Sequence, residues 1–240
     1  MSSSTQSVKS IRRAVILDWD GTLVDSSSRQ YHCHREILKG EGLRSRLSFE
    51  DFWRLRRGGK KIRELLPGSL APEIVQRVEA RWVLTIESPQ LLRLDALYPG
   101  ARQCLGLLRR TCDLYLCSLR QDSSALHEQL RRLHVVDFFA DIFVGSPIGR
   151  RSKRDLILPA VLHPSGPVGP VIVGDTEIDV MTGREACIQT VAVSYGNRSR
   201  RFLTQLHPDI IVDRIGDIPD AVGIKQKGVS RAARLRSNLQ

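Results

Sequence analysis

Short apolar runs alternate with amphipathic stretches along most of this 240-residue chain. The first run, Val15-Ile-Leu17, ends on Asp18-Trp-Asp-Gly21 and predicts a buried strand leading into a turn. Residues 26–97 read differently. Their apolar positions recur at helical spacing, predicting helices over Arg29–Lys39, Phe49–Arg56, Ile62–Leu66 and Glu73–Ile86 with little strand character. From Tyr98 onward helix and strand take turns. Helices are expected at Ala101–Arg110, Ser123–Leu133, 153–162 and Ile178–Glu185. The strands that follow them are expected at Asp113–Cys117, Asp141–Val144, Pro170–Val173 and Gln189–Val193, with a last strand at Asp209–Val212. A helical turn at Ile218–Val222 would stop at Gly223. Short apolar strands separated by helices imply an α/β fold, a doubly wound parallel sheet covered on both faces. The early helical block is then an insertion after the first strand.

This pattern divides the chain into an N-terminal tail (1–12), a core (13–25 and 98–223), an inserted helical unit (26–97) and a C-terminal tail (224–240). Charge sharpens the division. The formal net charge is +11, and residues 1–13 and 224–240, which contain no acid, supply 8 of it. Basic ends of this kind are ordinarily solvated, and they could also touch RNA, DNA or an acidic surface non-specifically. Aromatic residues make up only 5% of the chain, which argues against a module that stacks on bases. The insertion itself carries +5, and six of its bases fall in Arg54–Arg63 without an intervening acid. No apolar run approaches the ~20 residues of a membrane span. The first ten residues lack a secretory apolar region. Five cysteines without Cys-x-x-Cys spacing fit a reducing cytoplasm and no disulfide framework.

The candidate chemistry lies where strands end, because open parallel sheets bind ligands beyond the carboxyl ends of their strands. Asp18 and Asp20 follow the first strand, and as neighbours two apart they would leave it on one face unless the turn bends them away. Ser118 follows the strand Asp113–Cys117. Gly174-Asp175, with Asp179 one helical turn later, follows Val171-Ile-Val173. Lys153 stands at a helix entrance. Each alone has a plain structural reading: an Asp-Gly turn, a strand-end hydroxyl, one cation in a basic stretch. Together they suit a phosphate ester. Asp18 can attack phosphorus, and Asp20 can pass a proton to the leaving oxygen and take one from water. Ser118 and Lys153 can hold the non-bridging oxygens. Carboxylate attack on a dianion calls for a divalent cation. Mg²⁺ suits Asp18 and Asp175 with the Asp20 backbone carbonyl, and Asp179 stands close by in support. In the insertion, Arg57 and Lys60 flank Gly58-Gly59 and could meet a second anionic group of the substrate, or form a solvated helix face. His32 and His34 read as helix-surface residues.

These motifs resemble the haloacid dehalogenase (HAD) superfamily, in its phosphoglycolate-phosphatase-like branch with a helical cap inserted after the first strand. Asp18-Trp-Asp-Gly-Thr22 is similar to the first motif of that family, Ser118 to the second, Lys153 to the third and Gly174-Asp175 through Asp179 to the fourth. The resemblance implies a Rossmann-like core, a cap that closes over the site and selects the substrate, and Mg²⁺-dependent phosphoryl transfer through Asp18. Asp20 favours a phosphatase acting on a small phosphate ester, or a phosphomutase such as the β-phosphoglucomutase-like relatives. A phosphatase acting on nucleotide ends is a further alternative. The chain departs from the family pattern in having Leu119-Arg120 after Ser118, Arg154 after Lys153, and Cys187 at a place that is usually Gly.

Overall fold

The structure, a computed structural model, describes residues 12–146, 151–162 and 169–224. The expected N-terminal and basic C-terminal tails, residues 1–11 and 225–240, lie outside the described residues.

Six strands form a parallel sheet. They are β1 (Arg13–Leu17), β4 (Cys112–Ser118), β5 (Asp141–Val144), β6 (Val171–Gly174), β7 (Gln189–Val193) and β8 (Ile210–Val212), in spatial order β5-β4-β1-β6-β7-β8. The connecting helices are α5 (Ala101–Arg109), α6 (Ser123–Arg132), α7 (Lys153–Leu162), α8 (Glu177–Glu185), α9 (Arg200–Thr204) and α10 (Ile218–Ala221). The first strand in sequence is therefore central, with β4 and β6 on either side. Strand periodicity explains why both its faces are apolar. Val15 and Leu17 join the large cluster with Leu105, Leu108, Leu126 and Leu130 of α5 and α6, whereas Ala14 and Ile16 meet Leu156, Ile157 and Ala160 of α7. The sheet order changes direction between β1 and β6, which opens the crevice at their carboxyl ends.

A two-stranded antiparallel pair, β2 (Val24–Asp25) and β3 (Ala96–Leu97), brackets the inserted segment. Between them run α1 (Ser27–Gly40), α2 (Phe49–Arg57), a 3-10 turn at Ile62–Leu65, α3 (Pro72–Thr85) and α4 (Pro89–Leu92). These helices bury a cluster of their own, including Cys33, Ile37, Phe52, Leu65, Val78 and Leu91. The ring of His34 belongs inside it: the residue is 1% exposed and packs 5.1 Å from the Phe52 ring. The surface placement expected for His34 is therefore wrong. Its helical position faces Phe52 and Leu65 because α2 and the 3-10 turn fold over α1.

The pattern missed α4, α9 and the β2–β3 pair, elements of two to five residues that are too short to show a period. Two helix ends follow local rules. Ser48 accepts a hydrogen bond from Asp51 N at 3.0 Å to start α2, and Gly223 takes φ +85° just beyond α10. Cys187 adopts φ +54° after α8, a left-handed geometry that glycine takes at lower steric cost.

Candidate active site

Asp18 leaves the central strand with its backbone N–H still bonded to Val173 O at 2.9 Å. The chain then turns sharply at Gly21, where φ is +88° and an added Cβ would lie 2.0 Å from an Asp175 carboxylate oxygen. Only glycine serves both needs. Trp19 is fully buried and donates to Gln129 Oε1 at 2.7 Å, which anchors the turn to α6. Asp18 and Asp20 meet different partners.

Asp18 joins the first of two charge clusters. Lys153, at the start of α7, reaches Asp18 Oδ1 at 2.5 Å and Asp179 Oδ1 at 2.6 Å. Asp179 also accepts from Thr176 N at 3.0 Å and Thr176 Oγ1 at 2.8 Å, a capping box that fixes it at the start of α8. Asp175 is fully buried, and its carboxylate accepts from the backbone N–H of Asn197. Oxygens of Asp18, Asp175 and Asp179 lie within 4.8 Å of one another. Three carboxylates thus share one ammonium. Burial pushes the Asp18 carboxyl up to about 7 despite the opposing pull of Lys153, with Asp179 adding to the rise. Asp175 is driven well above the ordinary range by burial, then by Asp18 and Asp179. Lys153 is held well above its ordinary value, because Asp179 and Asp18 outweigh the cost of its burial. Ser118 is buried at the end of β4.

Asp20 anchors the second cluster. Arg120 grips it with two bonds of 2.7 Å, from Nε to Oδ2 and from Nη2 to Oδ1. Arg29 of α1 donates to Oδ1 as well. Behind them Asp95, at 0% side-chain exposure, pairs with Arg29 Nε at 3.0 Å and Arg120 Nη2 at 3.3 Å. Burial alone would raise the Asp20 carboxyl, but Arg120 and Arg29 hold it well below the usual carboxylate range. This cluster is balanced, two guanidiniums to two carboxylates. The first is not: its carboxylates outnumber its one ammonium, and Asp18, Asp175 and Asp179 could hold a cation.

The expected residues Asp18, Asp20, Ser118, Lys153, Asp175 and Asp179 all come to one rim of the sheet. Arg57 donates to Ser194 O, in the loop after β7 that also carries Asn197, and Lys60 pairs with Glu64 at 2.8 Å on the surface. Arg56 reaches the same loop through Gln30: its Nε donates to Gln30 Oε1 at 3.2 Å while Gln30 donates to Asn197. Sequence reasoning missed the roles of Arg29, Arg120, Asp95, Gln30 and Asn197. The strand-end rule, applied to β7, points to the 194–197 loop and could have found Asn197.

Residues 12–165 match the haloacid dehalogenase-like hydrolase family. The chain belongs to that family. It is 24% identical over 211 residues to a phosphoglycolate phosphatase of Nitrosococcus oceani, covering 85% of this chain and 93% of that one. It is 23% identical over 217 residues to the pyrophosphatase PpaX of Oceanobacillus iheyensis, covering 88% and 97%. Among solved structures, a haloacid dehalogenase-like family protein from Streptococcus pneumoniae shares the fold at TM-score 0.69 and 23% identity, covering 88% of this chain and 98% of that one. A HAD-superfamily hydrolase from Geobacter sulfurreducens does so at 0.64 and 22%, covering 89% and 97%. This HAD hydrolase has no helix among its described residues long and apolar enough to cross a membrane.

Proposed function

We propose that this HAD hydrolase is a Mg²⁺-dependent phosphatase that cleaves a small anionic phosphate monoester through an aspartyl-phosphate on Asp18. The observation that carries the reading is the unbalanced cluster: Asp18, Asp175 and Asp179 against Lys153 alone. A fully buried Asp175 carboxylate with no ion-pair partner among the described residues fits a hard divalent cation with oxygen ligands. Asp18, Asp175 and the Asp20 carbonyl would hold that ion, which offsets the repulsion between the Asp18 carboxylate and the incoming phosphate. Asp179 instead fixes Lys153 and the start of α8.

An Asp18 carboxylate oxygen attacks phosphorus as the ester P–O bond breaks, and the leaving oxygen takes a proton from Asp20. Lys153 and Ser118 hold the non-bridging oxygens as charge spreads over them. Water then attacks the phosphorus, gives its proton to Asp20 and releases phosphate from Asp18. Gripped by Arg29 and Arg120, Asp20 is in the ionised form suited to accepting that proton, and donating one requires it to leave the guanidiniums. Residues 26–97 act as the cap in this reading. Arg57, which bonds to the loop after β7, and Arg56, which bonds to Gln30, are better placed than the surface-paired Lys60 to meet an anionic group on the leaving side.

A panel of phosphate esters, including 2-phosphoglycolate, pyrophosphate and sugar phosphates, tests the proposal by Mg²⁺-dependent phosphate release with Asp18→Asn as control. Release from at least one small anionic ester is expected, lost in the variant and on chelation. Activity that survives Asp18→Asn would overturn the mechanism, and a phosphate returned to the sugar would make the enzyme a mutase.

A further inference from the structure

Asn197 sits where three parts of the site meet. Its backbone N–H donates to an Asp175 carboxylate oxygen, and its side-chain Nδ2 donates to the Asp20 carbonyl at 2.9 Å. Its Oδ1 accepts from Gln30 Nε2 of α1 at 2.5 Å. An amide is the group that can donate to the core on one side and accept from the inserted segment on the other. Gln30 is also tied on the inserted side, donating to Ser26 Oγ at 3.1 Å and accepting from Arg56 Nε at 3.2 Å. Both amides are buried, at 7% and 8% exposure.

The backbone around Asn197 leaves little room to move. A Cβ on the preceding Gly196 would lie 2.2 Å from Gly21 O and 2.4 Å from an Asp175 carboxylate oxygen. The Gly196-Asn197 loop is therefore pressed against both the turn that carries Asp20 and the carboxylate of Asp175. What is adjustable is the amide, and its free end is held from across the boundary by Gln30.

We infer that Asn197 and Gln30 form a positioning pair through which closure of the residue 26–97 unit sets the metal-holding groups, Asp175 and the Asp20 carbonyl. Neither residue touches the reacting atoms. With Gln30 docked, the Asn197 amide is fixed and aims the Asp20 carbonyl; with Gln30 withdrawn, the amide turns freely and the carbonyl loses its aim. Binding is reciprocal, so an ion held at the site also favours the docked position of Gln30. The inference rests on the metal site proposed above and adds a path by which α1 controls it.

Mn²⁺ binding to the full chain, followed by electron paramagnetic resonance of the free ion and by calorimetry, tests this without substrate. Outer-shell partners of metal ligands typically change affinity about 10- to 100-fold. Asn197→Ala is expected to weaken Mn²⁺ binding about tenfold on that scale, and Gln30→Met several-fold. The double variant should bind no more weakly than Asn197→Ala, because Gln30 acts only through Asn197. A structural role alone would lower the melting temperature and leave the Mn²⁺ dissociation constant where it was. Wild-type affinity in Gln30→Met, or additive losses in the double variant, would overturn the inference. If Asn197→Ala does not fold, Gln30→Met against wild type decides alone. Wild type that binds no Mn²⁺ would sink the metal site itself, a separate failure from variants that bind as wild type does.

Discussion

Replacing Asp18 by Asn should abolish turnover and at the same time make the metal-free protein more stable. The cluster asks the folded chain to hold three carboxylates beside one ammonium, out of water. Burial brings the Asp18 carboxyl to about 7, against 3.8 in an unfolded chain. Between those values the folded state binds a proton that the unfolded state has released, so stability falls as pH rises from 3.8 through 7. At about 1.4 kcal/mol for each tenfold, the loss reaches up to about 4 kcal/mol at pH 8. Asn has the same shape and no charge, and Lys153 keeps Asp179 as its partner at 2.6 Å. Urea unfolding in EDTA at pH 8 should therefore find Asp18→Asn more stable than wild type by about 2–4 kcal/mol, with the gap closing toward zero at pH 4. Adding Mg²⁺ should narrow the gap at pH 8 by stabilising wild type more than the variant. A gap that is absent at pH 8, or equal at both pH values, would refute the charge-imbalance account of the site.

Two further outcomes follow from other buried charges. His34, which burial and then the nearby Arg56 lower to about 4 against a partial offset from the Leu65 backbone, stays neutral in the folded protein where an unfolded histidine would take a proton at 6.5. The stability this lends is full above 6.5 and is lost as pH falls, by about 2 kcal/mol at pH 5. His34→Leu should lose about that much less between pH 7.5 and pH 5 in urea unfolding, and an unchanged pH dependence would show that another group is responsible. Arg120→Met leaves Asp20 and the buried Asp95 with only Arg29 between them, so a loss of about 3–5 kcal/mol in unfolding free energy is expected. Adding Asp95→Asn should restore part of it, and additive losses would show that the two residues are not one cluster.

Much of this molecule could be read from local pattern. The alternation of apolar strands with helices dictated the parallel sheet, because a strand buried on both faces must be apolar at consecutive positions, as Val15, Ile16 and Leu17 are. The rule that ligands gather at strand ends then selected Asp18, Ser118 and Asp175, since backbone direction and pleat place those side chains before any tertiary contact forms. Lys153 and Asp179 came with them, on helices that start at the same rim.

What the tertiary structure decided is which charge meets which. Asp18 and Asp20 are two residues apart, yet Gly21 turns them to different partners, one to Lys153 and the other to Arg120, 135 and 100 positions away. No periodicity encodes such pairings, because they depend on how the loop after β4, the start of α7 and, for Arg29 and Asp95, the inserted segment come together at the rim. For the same reason Arg29 and His34 look like ordinary residues of an amphipathic helix, while Asp95 and Asn197 look like loop polar groups. Residue type and strand order determined what chemistry is available at the rim. Convergence of α7 and α8 on the end of β1 decided that Asp18 would share an ammonium with other carboxylates, and packing of α1 against the core brought Arg29 to join Arg120 on Asp20, since the cost of burying a charge depends on what surrounds it in three dimensions.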